Sequence, residues 1–359
     1  MASSRNSRNI TFATFNLYNL QLPGEPFRKA TYTQAEYDAK IAWSARMLLE
    51  LDADVIAFQE LWHPQALHDL FERVAGLTGP SGKVFNYDLH FIKEPGITWY
   101  DIAVAVAVRK PWTAASKSLH KQFGPGFLLK KRGGKRDPED NEIEVEIEKF
   151  SRTVIALDIV NADKPKVPAI TVFASHLKSK LPTRLDAEEW AVPAIRNNAT
   201  ALGAALSTIR RTAEAAALRD ILGDALRDND RPVVLLGDLN DGASSNTLAI
   251  ITEQPSFKLF EASASGARSD RGLYAASRLQ SYRLIGAGEH THEYNGEREV
   301  LDHVLVSEQF YDHSDNRKWS FQQMRIWNDH LEDGNPASSD HGVVRAVFWW
   351  DPRPEDKPT

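Results

Sequence analysis

Polar side chains of the kind that bind metals or move protons follow an apolar run at residues 232–242. The run ends at Gly237 and is followed by Asp238, Asn240 and Asp241. Apolar runs bounded by turn residues are typical of buried strands, and a sheet would hold such polar groups rigidly where the strand ends. An ordinary turn after a strand explains this stretch alone equally well.

The same arrangement recurs in five further segments of the chain. The polar residues at their ends are Asn16, Glu60, His176, Asp302 with His303, and Asp340 with His341. One strand that ends in a carboxylate is unremarkable. Six segments that deliver amide, carboxylate and imidazole groups indicate one shared site.

These blocks resemble the endonuclease/exonuclease/phosphatase superfamily, which includes DNase I-like nucleases, abasic-site endonucleases, inositol polyphosphate 5-phosphatases and neutral sphingomyelinases. The matching blocks, in the family's order from residue 9 to about 348, are the Asn16 strand, Gln59-Glu60, Ser175-His176-Leu177, Gly237-Asp238-Leu239-Asn240, Leu301-Asp302-His303 and Ser339-Asp340-His341. The resemblance implies a DNase I-like fold of the α/β (α+β) class, a four-layer α/β/β/α sandwich. We expect one domain over residues 9–350, with flexible tails at 1–8 and 351–359.

The resemblance implies a divalent cation at the shared site. Glu60 is the expected ligand of Mg²⁺ or Mn²⁺, helped by Asn16 and Asp340. Carboxylate and amide oxygens suit such hard cations, and the chain has no cysteine that could supply a thiolate. Many family members carry an acidic residue where this chain has Tyr18, so a one-metal and a two-metal site both remain open.

The resemblance also implies catalytic roles. His341 is the expected acid/base or phosphate-contacting imidazole, and Asp302 is expected to orient it. Asp238 would position or deprotonate the attacking water, and Asn240 would hold the phosphate or that water. In-line displacement at phosphorus depends mainly on positioning and charge neutralisation, so no covalent enzyme intermediate is required.

His176 bears on the choice among subfamilies. DNase I-like and sphingomyelinase-like members carry a histidine at this point, whereas abasic-site endonucleases generally do not. These members pair the histidine with a carboxylate on a central strand, and Asp101 occupies the matching point here. We therefore assign His176 and Asp101 to the catalytic set.

Basic residues next to His176 indicate the substrate. Lys178, Lys180 and Arg184 follow the predicted site strand and are the expected phosphate contacts, whereas the basic cluster at residues 130–136 fits a solvated loop tip. A net charge of −6 is unusual for a nucleic-acid binder, but cations at a carboxylate-rich site would offset part of it.

Three classes of function compete for this sequence. We prefer a metal-dependent nuclease that acts on DNA or RNA. The alternative is a phosphatase or phospholipase of the inositol phosphate or sphingomyelin type, although no apolar hairpin for membrane contact is evident. A catalytically silent binding module is disfavoured because nearly all of the polar set is present.

Composition limits the class of protein but does not identify its function. The sequence has no cysteine for disulfides and no signal-peptide-like or membrane-spanning run, so we expect a cytoplasmic monomer without stable membrane association. A removed signal peptide would leave no trace, and a secreted mature form stays open.

Local patterns predict several elements between the site blocks. Thr33 and Glu36 form a capping box that begins a helix, and a longer helix is expected over residues 194–227. Inside it, Arg210, Arg211 and Glu214 fit an ion pair on the helix surface. Strict alternation over residues 142–148 predicts a strand, with the basic cluster before it completing a hairpin. His290 and His292 precede the Asp302 block. These two histidines either line the cleft or have an ordinary packing role, and the sequence leaves both interpretations open.

Overall fold

Two six-stranded β-sheets pack face to face, with helices on their outer faces. The structure is a computed structural model that describes residues 9–92, 102–131, 133, 142–227, 229–253, 271–283 and 290–352. The strands are β1 (Asn9–Leu20), β2 (Pro26–Phe27), β3 (Ala30–Thr31), β4 (Val55–Leu61), β5 (Tyr87–Phe91), β6 (Ala103–Arg109), β7 (Trp112–Gln122), β8 (Leu129–Lys131), β9 (Ile143–Val145), β10 (Lys149–Asn161), β11 (Ile170–His176), β12 (Val233–Asp238), β13 (Tyr274–Ala275), β14 (His292–Tyr294), β15 (Glu297–Glu299), β16 (Asp302–Val306), β17 (Trp319–Trp327) and β18 (Val343–Trp350). The helices are α1 (Gln34–Leu51), α2 (Pro64–Glu72), α3 (Ala187–Ala191), α4 (Pro193–Arg196), α5 (Ala199–Leu226), α6 (Asn246–Thr252) and α7 (Ala276–Arg283), with short 3₁₀ turns at Glu308–Phe310 and Asp329–Leu331.

The strand order brings the predicted site segments to neighbouring positions. The first sheet runs β17-β18-β1-β4-β6-β5, and the second runs β13-β16-β12-β11-β10-β7. In each sheet one central pair is parallel, β1 with β4 and β11 with β12. The expected α/β/β/α sandwich is confirmed.

Side-chain alternation explains why the polar residues meet between the sheets. On β12, Val234 and Leu236 lie in the apolar core between the two sheets. Because side chains alternate along a strand, Asp238 is the next residue on the same face. The same step on β11 leads from Val172 and Ala174 to His176. The apolar layer therefore ends in a polar rim at one edge of the sandwich.

Two further apolar cores attach the helices. Ile41 and Leu48 of α1 pack with Phe15 and Phe58 of the first sheet. The Thr33 capping box forms as predicted at the start of α1. On the other side, the second half of α5 packs against the outer face of the second sheet, with Leu218, Leu222, Phe173 and Leu235 in one cluster.

The other predicted elements are found with changed limits. The helix expected over 194–227 appears as α4 and α5, separated by a turn. The strand expected over 142–148 is limited to β9, which pairs with β8 in a short hairpin. Most of the loop between these two strands, including Lys135 and Arg136, lies outside the described residues.

The interpretation of Glu214 as part of a surface ion pair is wrong. Its side chain is fully buried and accepts hydrogen bonds from the backbone N–H groups of Ser151 and Lys178, both at 2.8 Å. Arg210 does reach it at 3.9 Å, but Arg211 instead contacts Asp241 at 3.3 Å. Glu214 therefore fixes the backbone directly after His176.

A buried ion-pair network closes the opposite end of the first sheet. Asp54 accepts hydrogen bonds from Thr11, from Lys83 Nζ at 2.8 Å and from Arg109 Nη2 at 2.9 Å. Arg109 also binds Asp52 at 2.6 Å. Burial opposes ionisation of Asp54, but Lys83 and Arg109 outweigh it and lower the pKa of this carboxyl. The network links the turn after α1 to β1 and β6.

Asp54→Asn is expected to destabilise the fold by roughly 3 kcal/mol, because it removes the carboxylate shared by Lys83 and the buried Arg109 and leaves Asp52 as the remaining acidic partner of that guanidinium. The lowered pKa means that the contribution is complete above pH 3.8 and is lost as pH falls through the lower folded value. Urea unfolding of both proteins should therefore give a constant difference from pH 5 to 8 that shrinks below about pH 4. The exposed Asp163→Asn variant is the control, and equal stability of both variants would contradict the assignment.

Candidate active site

Three candidate catalytic side chains lie side by side on the second sheet. His176 is the direct neighbour of Asp238 in the β11–β12 register, and Asp238 is the neighbour of Asp302 in the β12–β16 register. All three are buried. Gly237 permits the close strand approach at this point, because a Cβ there would lie 1.9 Å from the carbonyl oxygen of Ser175.

The segment before β18 brings His341 over this row. Its Nδ1 lies 2.8 Å from Asp302 Oδ2. Ser339 fixes the approach of the segment, since its Oγ donates to the carbonyl of Asn16 at 2.7 Å and accepts from His341 N at 3.0 Å. His330 Nε2 contacts the His341 carbonyl at 2.8 Å. His341 is therefore held from both its ring and its backbone.

Asp238 connects the two sheets at the site. Asn16 Nδ2, from the first sheet, donates to Asp238 Oδ2 at 3.1 Å, and the backbone N–H of Asn240 donates to Oδ1 at 2.8 Å. His176 Nε2 and His341 Nε2 approach the same Oδ2 at 3.5 and 3.9 Å. Asn240 adopts a left-handed backbone conformation with φ of 53°, and its side chain donates to the Leu177 carbonyl at 3.1 Å.

The two histidines differ in charge because their surroundings differ. Burial lowers the pKa of His341, but the carboxylates of Asp302 and Asp238 outweigh burial and raise it well above 6.5. Burial and nearby Arg152 lower the pKa of His176 well below 6.5. Burial also raises the pKa of Asp238 to about 7, and Asp302 adds to this effect. Near neutral pH the site thus combines a charged imidazole with a neutral one.

Glu60 has the features of a cation ligand. Its backbone is left-handed with φ of 58°, a strained conformation often found at functional sites. Its Oε2 is buried without a hydrogen-bond partner among the described residues, and Oε1 lies 3.7 Å from Arg28 Nη2. Burial and the Asp340 carboxylate raise the pKa of Glu60. A hard divalent cation would relieve this repulsion, and the oxygen donors fit it.

The other expected ligands lie around this point. Asn16 Oδ1 accepts from the backbone N–H of Tyr18 at 3.0 Å, which leaves it one lone pair for a metal. Within the described part of the chain, two groups of three acidic or histidine residues have ligand atoms within 4.8 Å of one another. One group is Asp238, Asp302 and His341, and the other is His292, Asp340 and His341. Glu60 belongs to neither group, so its place beside Asp340 rests on electrostatic proximity.

The expected phosphate contacts are arranged less favourably than the sequence indicated. Lys180 Nζ binds Glu299 at 2.6 Å and approaches Asp241 at 3.5 Å. Lys178 Nζ is turned toward the carbonyl of Leu181, at 3.2 Å. Arg184 is exposed. The remaining expected catalytic residue, Asp101, lies outside the described residues.

Three basic side chains near Glu60 were not identified as site residues from the sequence. Arg152, at the start of β10, donates to the Leu177 carbonyl at 3.1 Å, and the charges of Glu214, Glu60 and Asp238 counteract the burial that lowers its pKa. Arg28 lies in the β2–β3 hairpin with its side chain 53% exposed. Buried Lys40 of α1 donates to the Ser338 carbonyl at 3.2 Å, and burial lowers its pKa to about 8. No local pattern marked these residues, because each reaches the site only through the fold.

Comparison with known proteins gives a family and a fold. The model of the Endonuclease/Exonuclease/phosphatase family matches residues 13–341. Among solved structures, a mannosyl-6-phosphatase of Bacteroides thetaiotaomicron is similar at 13% identity and a TM-score of 0.54, over 95% of this chain and 100% of that one. The catalytic domain of human nocturnin, with a bound sulfate anion, is similar at 14% identity and 0.54, over 96% and 94%.

A humanised D. rerio TDP2 with 14 mutations is similar at 11% identity and a TM-score of 0.52, over 95% of this chain and 98% of that one. No curated protein sequence matches this chain. At such identities the structural similarities show the fold alone. Together with the family match, they confirm the resemblance identified from the sequence blocks.

Asp302→Asn is expected to lower the pKa of His341, because it removes the carboxylate that stabilises the imidazolium. A ¹⁵N NMR titration of the metal-free protein measures this value directly. The pKa of His120, a half-buried histidine of β7, should be the same in both proteins and is the control. An unchanged His341 pKa would show that Asp302 does not stabilise the charged ring.

His341→Ala and His176→Ala should each lower kcat by at least about 100-fold, and Asp302→Asn should lower it less.

Proposed function

Because this chain belongs to the endonuclease/exonuclease/phosphatase family and is thus a phosphoesterase, we propose that it is a Mg²⁺- or Mn²⁺-dependent phosphodiesterase that hydrolyses nucleic acid. The observation that carries the hydrolytic part is the buried row of His176, Asp238 and Asp302 beneath His341. Such a row places acid, base and charge-stabilising groups within a few ångströms of one reacting atom.

A cation held by Glu60, Asp340 and Asn16 would neutralise charge that develops on the phosphate oxygens. Protonated His341 stabilises the same charge or donates a proton, and the 2.8 Å contact with Asp302 keeps its ring in place. Asp238, with its raised pKa, is suited to accept a proton from water near neutral pH. Asn240 orients that water or the phosphate. Water attacks phosphorus directly and the ester oxygen leaves.

Positive charge near Glu60 supports a polyanionic substrate. Arg28, from the β2–β3 hairpin, is exposed and lies 3.7 Å from Glu60. The segment that follows His176 supplies Lys178 and Arg184. Over residues 178–211 the sequence has six basic and three acidic residues, although the whole chain carries a net charge of −6. Consecutive phosphates of a nucleic-acid strand would contact these basic residues.

Excess EDTA is expected to abolish hydrolysis of a phosphodiester, and Mg²⁺ or Mn²⁺ should restore it. Glu60→Gln should reproduce the metal-free rate at saturating Mg²⁺, because an amide is a much weaker ligand than a carboxylate. Its thermal unfolding should be unchanged or improved, since the substitution removes a buried carboxylate with an unpaired oxygen. The exposed Glu50→Gln variant is the control. Full activity in chelator would remove the metal from the mechanism.

A second candidate substrate, a phospholipid or sphingomyelin, is favoured by an apolar surface that the sequence did not reveal. Leu202, Leu206 and Ile209, one face of the first half of α5, are 40%, 44% and 46% exposed. Trp190 is 53% exposed and Leu181 64%. We define these five residues as the apolar face. Single exposed apolar side chains are common, but five within 29 residues of the chain, one of them a tryptophan, are a feature of membrane-contacting surfaces.

The apolar face belongs to the same structural unit as the segment after His176. Ser207 Oγ donates to the Leu181 carbonyl at 2.7 Å, and Thr183 N donates to the Gly203 carbonyl at 3.0 Å. Gly203 makes this contact feasible, because a Cβ there would lie 2.3 Å from the Thr183 carbonyl oxygen. No described helix is long and apolar enough to cross a membrane.

One assay series separates the two candidates. Cleavage of labelled DNA and RNA is measured across salt concentrations beside sphingomyelin or phosphatidylcholine vesicles and inositol phosphates. A nuclease should bind its substrate with a steep salt dependence, and Lys178→Gln or Arg184→Gln should each reduce the slope by roughly 0.7–0.9 where a phosphate contact is lost. The triple variant Leu202→Ser, Leu206→Ser, Ile209→Ser should leave this cleavage unchanged. Preferential vesicle hydrolysis that the triple variant abolishes would establish the lipid substrate instead.

A further inference from the structure

The β14–β15 hairpin brings an additional histidine to the catalytic one. His292 is the first residue of β14, and its ring centroid lies 5.0 Å from that of His341. Its ring is half-buried and lies 6.5 Å from the ring of Tyr294, centroid to centroid. The backbone of the hairpin is fixed to the site, since Thr291 N donates to the Glu299 carbonyl and Gly342 N donates to the Thr291 carbonyl.

From this arrangement we infer that His292, Asp340 and His341 form an inhibitory site for Zn²⁺, separate in its ligand chemistry from the oxygen site at Glu60. One ligand atom from each of the three residues lies within 4.8 Å of the other two. Ligands around tetrahedral zinc are roughly 3.3 Å apart, from bond lengths of about 2.1 Å. Small side-chain rotations close this difference, and water supplies the fourth ligand.

The ligand types favour zinc over magnesium. Two imidazole nitrogens and one carboxylate are typical zinc ligands, whereas Mg²⁺ prefers oxygen alone. The Asp302 contact with His341 Nδ1 adds a second feature of zinc sites, in which a carboxylate holds the ring of a ligating histidine and leaves Nε2 for the metal. Asp340 is exposed, so an ion from solution can reach the site.

Zinc bound there would inhibit the hydrolysis proposed above, and this consequence rests on that proposed function. The ion would occupy His341 Nε2, the nitrogen that faces Asp238 at 3.9 Å. His341 could then neither carry a proton nor contact the phosphate. The same ion would draw Asp340 away from a catalytic cation at Glu60. Zinc would therefore inhibit at concentrations far below those at which Mg²⁺ activates.

The test measures zinc binding and inhibition separately. Calorimetry on chelator-stripped protein should find one tight Zn²⁺ site in the wild type and in Glu60→Gln, and an affinity at least about tenfold weaker in His292→Ala. His290→Ala is the matched control: this residue is two positions earlier, its carbonyl accepts from Asn328 at 3.0 Å, and it should bind zinc like the wild type. In the Mg²⁺-dependent assay, the wild type, His290→Ala and His292→Ala are each compared with their own zinc-free rate.

Zinc should inhibit the wild type and His290→Ala at least tenfold more strongly than His292→Ala. Equal zinc affinity in wild type and His292→Ala would overturn the inference, and so would loss of the site in Glu60→Gln, which would place the ion at the oxygen ligands. Binding is read without any substrate, so absence of hydrolysis would count against the proposed function alone. Binding at the predicted site without inhibition would overturn the inhibitory role.

Discussion

The buried carboxylate of Asp238 is the interaction on which the site depends. It lies at the junction of the two sheets, where it binds Asn16 from one sheet and Asn240 from its own loop and faces two imidazoles. With a pKa near 7 instead of 3.8, its ionised form costs roughly 4 kcal/mol at neutral pH relative to an exposed aspartate. Protonated His341 offsets part of this cost, and Asp302 in turn stabilises the charged ring.

That requirement for positive charge explains the rest of the rim. Glu60, Asp238 and Asp302 bring three carboxyl groups into a region from which water is largely excluded. Isolated buried charges of this kind cost several kcal/mol each. Arg152 counteracts the charge of two of them, but its guanidinium is anchored to a backbone carbonyl. A divalent cation is the simplest additional source of positive charge to balance these carboxylates. The Glu60 oxygen without a hydrogen-bond partner among the described residues therefore supports metal binding more directly than the number of nearby ligand atoms does.

The sequence predicted the fold and the meeting of His176, Asp238 and Asp302 because both follow from short-range alternation. An inward-facing apolar series such as Val234 and Leu236 fixes the orientation of Asp238 two residues later, and the same applies to His176. The family resemblance then supplied the order of the blocks. What could not be predicted depends on contacts between distant segments. Examples are the burial of Glu214 against β10 and the pairing of Lys180 with Glu299, 119 residues apart in the sequence.

The apolar residues of α5 also show what cannot be predicted from the sequence. Leu202, Leu206 and Ile209 have a helical spacing that would ordinarily indicate a core-facing stripe. The second half of the helix does face the core, through Leu218 and Leu222. The first half instead contacts the segment after His176 through Gly203 and Ser207, and Leu202, Leu206 and Ile209 are exposed to solvent. Sequence periodicity identifies which residues share a face, but only the packed fold decides whether that face is covered.

His341 links these observations, because its Nε2 atom can bind either a proton or a zinc ion but not both. The Asp302 contact favours the protonated ring that our proposed mechanism needs, and it also orients Nε2 toward a metal once the proton is lost. By our inference, proton and zinc compete for this one nitrogen, and His292 sets how strongly zinc competes. A hairpin without an imidazole at this position would leave His176, Asp238 and Asp302 in place while removing one nitrogen ligand. The proposed sensitivity of the site to zinc thus depends on β14, outside the row to which we assign the chemistry.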